Sequence, residues 1–263
     1  MVSIFLRSLI FNVLFYIVLV FLVILALPTA VMPVRAVLTV VRWWANSTLF
    51  LMRVICNIKV EFRGVEKIPK GSLVIAAKHQ SFWETFVLVQ FFDRPIFILK
   101  RQLTYIPVFG QFLIKAGMIA IDRTAGMKAL LDMTKRAREA VRGGCQLVIF
   151  PEGTRRAPGA PAQYKSGFAQ IYSACGVPCL PIALNSGLFW PRRTFMRYPG
   201  TLVVEFLDPL PPGLPKDEFT LRVRTAIEDA TGRIVEEGRK EQEQLFGSAP
   251  SYVSSGGQRP VSE

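Results

Sequence analysis

The sequence predicts an α/β domain that follows a helical, membrane-anchoring segment. Three observations carry this prediction. Short apolar runs rich in β-branched residues recur through the middle of the chain, and such runs are typical of buried strands. Longer stretches with helical periodicity separate them, which is the pattern of an α/β domain. The N-terminal region is strongly apolar, in a chain of 263 residues that is 51% hydrophobic overall.

The first apolar segment has the length of a membrane-crossing helix. Residues 8–27 are twenty consecutive positions without a formal charge, and about 20 such residues cross the core of a bilayer. A cleaved signal peptide is the alternative. The run is long for a signal peptide, only Arg7 precedes it as a basic residue, and a poor cleavage site follows. We therefore expect a retained anchor.

The second apolar segment, residues 34–58, contains three arginines and the pair Trp43 and Trp44. Arginine and tryptophan together favour a helix that lies in the headgroup region. A second membrane-crossing helix stays open as the alternative. We therefore predict that residues 1–58 are membrane-anchoring helices. Because positive charge is in excess after the first segment, we expect the main domain on the cytoplasmic side of the inner (cytoplasmic) membrane.

The formal net charge is +13, which favours an anionic partner. The sequence contains no recognisable nucleic-acid-binding motif, and the apolar N-terminus favours membrane lipid over nucleic acid. The four cysteines lack the spacing of a metal site, and a single histidine cannot supply a histidine cluster. We expect reduced, mostly buried thiols and no bound metal.

The α/β domain is predicted over residues 59–235. Seven short apolar runs are expected to be strands: residues 59–63, 73–77, 96–99, 118–121, 147–150, 180–184 and 202–207. Because these runs are apolar throughout, they indicate a sheet that is covered on both faces.

The clearest helix is predicted over residues 126–142. Apolar residues recur there at spacings of three and four, at Leu130, Met133, Ala137 and Val141. A Gly-Gly pair then supplies the C-terminal stop. From residue 236 onward the chain is rich in Glu, Gln and Lys. We predict that residues 236–263 are a polar tail, a frayed helix followed by disorder.

His79 is the only histidine and lies two residues beyond the strand predicted at 73–77. Ligands of open α/β sheets bind at the carboxyl ends of strands, and an imidazole suits a general base near neutral pH. Glu84 lies five positions later, and with Ser81 it also forms a capping-box pattern. The Glu84 carboxylate is therefore predicted to close a helix start, to orient the imidazole, or to do both.

Polar residues follow other predicted strands as well. In "LVIFPEGTRR", residues 147–156, Gly153 permits a close backbone approach to a ligand, and Arg155 offers a bidentate fork to a phosphate. Arg123 ends "GMIAIDR", and Lys165 adds a cation beyond the loop after Arg155. The block "VPCLPIAL" looks mainly structural.

These four blocks, in this order, resemble those of the 1-acyl-sn-glycerol-3-phosphate acyltransferase (lysophosphatidic acid acyltransferase) family of glycerolipid acyltransferases. The family's first block is His-x4-Asp, and here "HQSFWE" has Glu84 in the acid position. The others correspond to "KRQLTYIPVFGQFLIKAGMIAIDR", "FPEGTR" and "VPCLPIAL", so the resemblance covers about residues 60–210. It implies a mixed sheet flanked by helices.

The resemblance also implies an activity. A fatty acyl group would move from acyl-CoA or acyl-ACP (acyl carrier protein) to the free hydroxyl of lysophosphatidic acid and give phosphatidic acid. His79 would be the general base and Glu84 its orienting acid. The residues implied in acceptor binding are Glu152, Gly153, Thr154, Arg155, Arg123 and Lys100. The expected partners are these substrates and membrane lipids, with no nucleic acid, no cofactor and no metal.

Other functions stay open at this point. The acceptor can be another lysophospholipid or a lyso-aminolipid, or water can replace it in a hydrolase. A non-enzymatic protein that binds anionic lipids is a further alternative, although it needs no His79–Glu84 pair. The aromatic residues Phe82, Trp83 and Phe86 are candidates for an acyl groove, but aromatic residues on a helix are more often core.

Overall fold

The computed structural model describes residues 2–122 and 126–247. The helices in these ranges are α1 (Val2–Ala26), α2 (Val34–Cys56), α3 (Glu84–Val87), α4 (Phe109–Lys115), α5 (Gly126–Arg142), α6 (Gly167–Cys175), α7 (Ser186–Phe189) and α8 (Lys216–Phe246). The strands are β1 (Ile58–Arg63), β2 (Leu73–Ala77), β3 (Pro95–Lys100), β4 (Ile119–Ile121), β5 (Gln146–Ile149), β6 (Cys179–Leu184) and β7 (Gly200–Phe206).

The described strands form one seven-stranded sheet in the order β1-β7-β6-β2-β5-β3-β4. Strands β6, β2, β5, β3 and β4 are parallel to one another, whereas β7 is antiparallel to β6 and parallel to β1. The predicted mixed α/β fold is confirmed, and a strand lies at each of the seven predicted runs. The parallel strands place their carboxyl ends at one edge, where ligands of such sheets bind.

Both faces of the central sheet are covered. The side chains of Leu73, Ile75 and Ala77 on β2 pack with residues of α1, α2 and α3. The alternate residues Val74 and Ala76 pack in a second core with residues of α5, α6 and α8. Side chains of a strand alternate between faces, so an uninterrupted apolar run marks a strand buried on both sides. The expectation of a covered sheet is confirmed.

Helix α5 has the predicted bounds, Gly126–Arg142, and it buries Ala137 and Val141. Helix α8 includes the first part of the predicted polar tail, which was expected to be a frayed helix. It continues across residue 235 to Phe246, with Gly238 and Gln242 buried. The polar composition of this part of the helix did not indicate that it packs against the domain, because Gly238 and Gln242 make the contact instead of apolar side chains. The rest of the predicted tail, residues 248–263, lies outside the described residues.

Helix α1, with the turn after it, is the one helix among the described residues that is long and apolar enough to cross a membrane. Phe11 and Phe15 on one side pack against Trp190, while apolar residues on other sides, such as Val20 and Phe21, are exposed. Monomeric soluble proteins rarely expose a large continuous apolar surface. The structure therefore supports membrane association through α1.

Helix α2 connects this N-terminal segment to the sheet domain. Its buried residues form a stripe along one side of the helix. Trp44 in this stripe stacks on Phe86 of the segment after His79, with ring centroids 4.2 Å apart. The guanidinium of Arg42 donates to the Phe92 carbonyl oxygen at 2.9 Å. Helix α2 is thus part of the folded domain on one side, and the sequence interpretation that it lies in the headgroup region stays a prediction.

Candidate active site

His79 lies in the turn that follows β2, at the edge where the parallel strands end. Its side chain is 14% exposed. The imidazole stacks on the Phe150 ring, with centroids 4.0 Å apart and planes inclined by 19°. Phe150 directly follows β5, the neighbour of β2. The imidazole and the aromatic ring that stacks on it therefore follow two adjacent strands of the sheet.

The Glu84 carboxylate contacts the imidazole and the helix start at the same time. Its Oε1 accepts a hydrogen bond from His79 Nδ1 at 2.9 Å. The same oxygen accepts the backbone N–H groups of Gln80 and Ser81, each at 2.7 Å. The bond from Ser81 is the Glu half of the predicted capping box, although the Ser81 hydroxyl accepts from Trp83 N. The geometry of Glu84 therefore fits both predicted roles, closing the helix start and orienting the imidazole.

This pairing decides which ring nitrogen of His79 is available. An ionised carboxylate only accepts hydrogen bonds, so Nδ1 must carry the proton that it donates to Glu84. Nε2 of the neutral ring is then an acceptor. A fixed tautomer with one accepting nitrogen is the state that a general base requires.

The other oxygen of this carboxylate is held by a residue that the sequence did not predict. Ser186, the first residue of α7, donates its hydroxyl to Glu84 Oε2 at 3.0 Å. The next N–H group, of Gly187, donates to Gln80 Oε1 at 3.0 Å. Ser186 lies two residues beyond the end of β6. The rule that pointed to His79, a polar residue just past a strand end, points to Ser186 equally well.

The segment after β5 is joined directly to the His79 turn. Arg156 N donates to the His79 carbonyl oxygen at 2.8 Å. Gly153 has a φ of +66°, a conformation that glycine adopts without the steric cost of a Cβ. The structure therefore brings together the two sequence blocks that contain His79 and Glu152. These residues are 73 positions apart in the chain, and a hydrogen bond from His79 N to Glu152 Oε2 joins them.

The Glu152 side chain points into the protein. Its carboxylate is 1% exposed and lies 2.9 Å from Lys78 Nζ, and its Oε2 accepts the His79 N–H at 3.3 Å. Burial raises the pKa of Glu152, and the nearby Lys78 charge opposes this effect. The sequence grouped Glu152 with acceptor-binding residues. The structure shows this carboxylate enclosed by Lys78 and the His79 backbone, and contact between Glu152 and the acceptor stays a prediction.

Lys78 also reaches the C-terminal helix. Its ammonium lies 2.8 Å from Glu228 Oε1 on α8, and the Tyr164 hydroxyl donates to the same oxygen at 3.0 Å. Burial and the Glu228 charge raise the pKa of Tyr164, so it stays a neutral donor. This network holds the backbone on the N-terminal side of His79, because Lys78 directly precedes His79 and Glu152 accepts the N–H group that joins them.

Two of the predicted cations, Arg155 and Lys100, lie at or after the ends of strands that finish at the same edge. Arg155 follows β5, and its carbonyl oxygen accepts from Arg192 Nη1 at 3.2 Å. Lys100 is exposed at the end of β3. Arg123, expected just past β4, lies outside the described residues. Thr154 is half-buried beside Arg155.

The thiols match the sequence expectation. All four cysteines are buried and free. Burial raises the pKa of Cys175 to about 11, so this thiol stays protonated at neutral pH. Residues 2–122 and 126–247 contain no group of three His, Cys, Asp or Glu side chains placed to hold a metal ion.

Comparison with known proteins identifies the domain. Residues 59–185 match the acyltransferase family model. The chain is 42% identical over 165 residues to a 1-acyl-sn-glycerol-3-phosphate acyltransferase of Pseudomonas aeruginosa, covering 63% of this chain and 64% of that protein. Residues 59–185 form an acyltransferase-family domain. The family resemblance stated from the sequence blocks is thereby confirmed.

Two further matches extend beyond this acyltransferase domain. A 1-acyl-sn-glycerol-3-phosphate acyltransferase of Saccharomyces cerevisiae is 27% identical over 203 residues, covering 73% of this chain and 66% of that protein. The matched part is thus less than two thirds of either curated relative. The crystal structure of the 1-acyl-sn-glycerophosphate (LPA) acyltransferase PlsC from Thermotoga maritima superposes with a TM-score of 0.70 at 23% identity, covering 88% of this chain and 96% of that one. The fold is the same.

The aromatic residues of the acyltransferase domain divide into core and surface. Trp83 is fully buried, and Phe86 is buried against Trp44. Phe82 is 40% exposed beside them. Of the three groove candidates, two therefore have the packing of core residues, and only Phe82 presents a surface that an acyl chain can contact.

Proposed function

We propose that this chain transfers a fatty acyl group from an acyl thioester to the free hydroxyl of 1-acyl-glycerol-3-phosphate and produces phosphatidic acid. The observation that carries the proposal is the bond between His79 Nδ1 and Glu84 Oε1 at 2.9 Å. It leaves Nε2 as the accepting nitrogen of a partly exposed imidazole. The names of the curated relatives support the same reaction.

The reaction follows from this arrangement. His79 Nε2 takes the proton of the acceptor hydroxyl as its oxygen attacks the thioester carbonyl carbon. Glu84 stabilises the imidazolium that forms. The carbon–sulfur bond then breaks, and the thiolate takes the proton back from His79. The acceptor oxygen is itself the nucleophile, so the reaction needs no covalent acyl-enzyme, cofactor or metal.

The acceptor phosphate is bound by the segment after β5. Arg155 offers its bidentate fork, which matches phosphate geometry. The positive φ of Gly153 lets the backbone approach a ligand closely, and Thr154 adds a hydroxyl. Lys100 and Arg123 supply further positive charge from the ends of β3 and β4. Glu152 acts from inside by holding the His79 backbone.

The donor is acyl-CoA or acyl-ACP, and the site works at a membrane. Both the acceptor and the product are amphiphiles, which fits the exposed apolar surface of α1. We place α1 in the inner (cytoplasmic) membrane with the acyltransferase domain facing the cytoplasm, because the positive charge follows α1 in sequence.

The test offers the purified, detergent-solubilised protein an acyl thioester and a panel of lysolipids. Phosphatidic acid should form fastest with lysophosphatidic acid, and His79→Ala should reduce kcat by at least 10²–10⁴-fold without loss of membrane attachment. A well-folded His79→Ala protein with near wild-type transfer contradicts the mechanism. Faster acylation of another lysophospholipid or a lyso-aminolipid would show that this lipid is the acceptor. Release of free fatty acid without acyl transfer would show that the reaction is hydrolysis.

A further inference from the structure

The two oxygens of the Glu84 carboxylate have unequal surroundings. Oε1 accepts three N–H donors, including His79 Nδ1. Within the described residues, Oε2 accepts one donor, the Ser186 hydroxyl at 3.0 Å. Both Glu84 and Ser186 are fully buried. A buried ionised oxygen needs a hydrogen-bond donor, because no water replaces one that is lost.

The backbone around Ser186 is held on both sides. Asn185 donates to the Ile234 carbonyl oxygen at 3.0 Å and accepts from Val203 N at 2.8 Å. Gly187 N donates to Gln80 Oε1. A Cβ on Gly187 would come within 2.8 Å of the Pro158 ring, so a larger residue has no room there. The Ser186 hydroxyl is therefore presented from a rigid support.

We propose that Ser186 is a positioning residue that holds the Glu84 carboxylate in the plane its bond to His79 requires. This inference rests on the proposed function. With Oε1 bound to the His79 turn and Oε2 bound to α7, the carboxylate cannot rotate about its terminal bond. The family match ends at residue 185, so Ser186 enters the site from just outside the matched segment.

The loss of Ser186 should affect turnover and leave substrate binding unchanged. Loss of a hydrogen bond to a charged group lowers an equilibrium constant or a rate constant by a factor of about 10–100. We expect Ser186→Ala to lower kcat by about that factor. The KM values for both substrates should stay within about twofold, because Ser186 is fully buried and its hydroxyl is bound to Glu84.

Two variants separate this role from packing. Ser186→Cys keeps nearly the same volume but is a weak donor, so its kcat should fall with that of Ser186→Ala. Should Ser186→Ala fail to fold, Ser186→Cys alone provides the measurement. The matched control is Ser72→Ala, which removes a hydroxyl bonded to the Val141 carbonyl oxygen at 2.8 Å at the opposite end of β2 from His79. Its kcat should equal that of wild type.

A double-mutant cycle with Glu84→Gln tests whether Ser186 acts through Glu84. Residues that act as a unit have non-additive effects, so Ser186→Ala should change kcat by less than about twofold in the Glu84→Gln background. A full 10–100-fold further loss there overturns the inference. So does a folded Ser186→Ala protein with wild-type kcat, or one in which only KM rises. An inactive wild-type protein would instead refute the proposed function.

Discussion

Replacement of Glu84 by glutamine separates the two tasks of this residue, closing the helix start and orienting His79. Glutamine keeps an oxygen that can accept the three N–H groups now bound to Oε1. Its amide NH2 can donate to the Ser186 hydroxyl, which also accepts. All four hydrogen bonds of the carboxylate therefore have a neutral counterpart.

The expected loss of stability is small. A bond to a charged group contributes about 1.5–3 kcal/mol and a neutral one about 0.5–1.5, so four bonds lose roughly 4–6 kcal/mol. The fully buried carboxylate also carries a desolvation cost of several kcal/mol that the amide lacks. These terms oppose each other, and we expect the free energy of unfolding to change by less than about 2 kcal/mol.

The expected loss of activity is large. The amide carries no charge to stabilise the imidazolium, and in the flipped orientation, with its NH2 facing His79 Nδ1 instead of Ser186, it would hold the ring in the wrong tautomer. The equivalent change in the serine-protease triad costs about 10⁴-fold in kcat, or roughly 5.4 kcal/mol of transition-state stabilisation. Glu84→Asp restores the usual acid of the family and should keep measurable activity.

The assay is kcat for acyl transfer to lysophosphatidic acid, measured beside the melting temperature of each variant in the same detergent. Glu241→Gln is the matched control, because Glu241 also accepts a backbone N–H, from Thr201 at 2.6 Å, and contacts none of the proposed catalytic residues. It should retain wild-type kcat. If Glu84→Gln melts normally and turns over like wild type, Glu84 is only a helix cap and the reasoning about the His79 pair is refuted.

The remaining predictions concern the phosphate, the buried ion pair and the anchor. Arg155→Lys keeps the charge but loses the bidentate fork, so the acceptor KM should rise about tenfold with an unchanged donor KM; a rise for the donor alone would place Arg155 on the wrong substrate. Lys78→Met should lower the free energy of unfolding by about 3–5 kcal/mol, because it leaves the Glu152 charge buried and unpaired. Lys78→Met/Glu152→Gln should recover most of that loss in thermal or chemical unfolding, and a single variant as stable as wild type would contradict the account. Deletion of residues 1–27 should leave a residual membrane attachment that falls as salt is added; attachment that persists at high salt would mean that α2 crosses the membrane.

Local patterns were sufficient for much of the fold. The seven strand positions and the bounds of α5 follow from hydrophobic periodicity and from the glycines that end helices, which act between neighbouring residues. The packing of the last turns of α8 against the domain did not follow. Its contact with the domain is made by Gly238 and Gln242, residues that carry no apolar signal.

The sequence by itself determined the chemical groups of the candidate site and their order: one imidazole and one carboxylate past β2, and an arginine past β5. Tertiary structure decided which groups meet. Ser186 is 102 residues from Glu84, and Glu228 is 150 residues from Lys78, yet each pair is in hydrogen-bond contact. The physical reason is that such contacts depend on the strand order β6-β2-β5 and on the packing of α8, which are set by burial of the whole sheet. The inward orientation of Glu152 likewise follows from Lys78 lying beside it on the adjacent strand end, a proximity that no local pattern encodes.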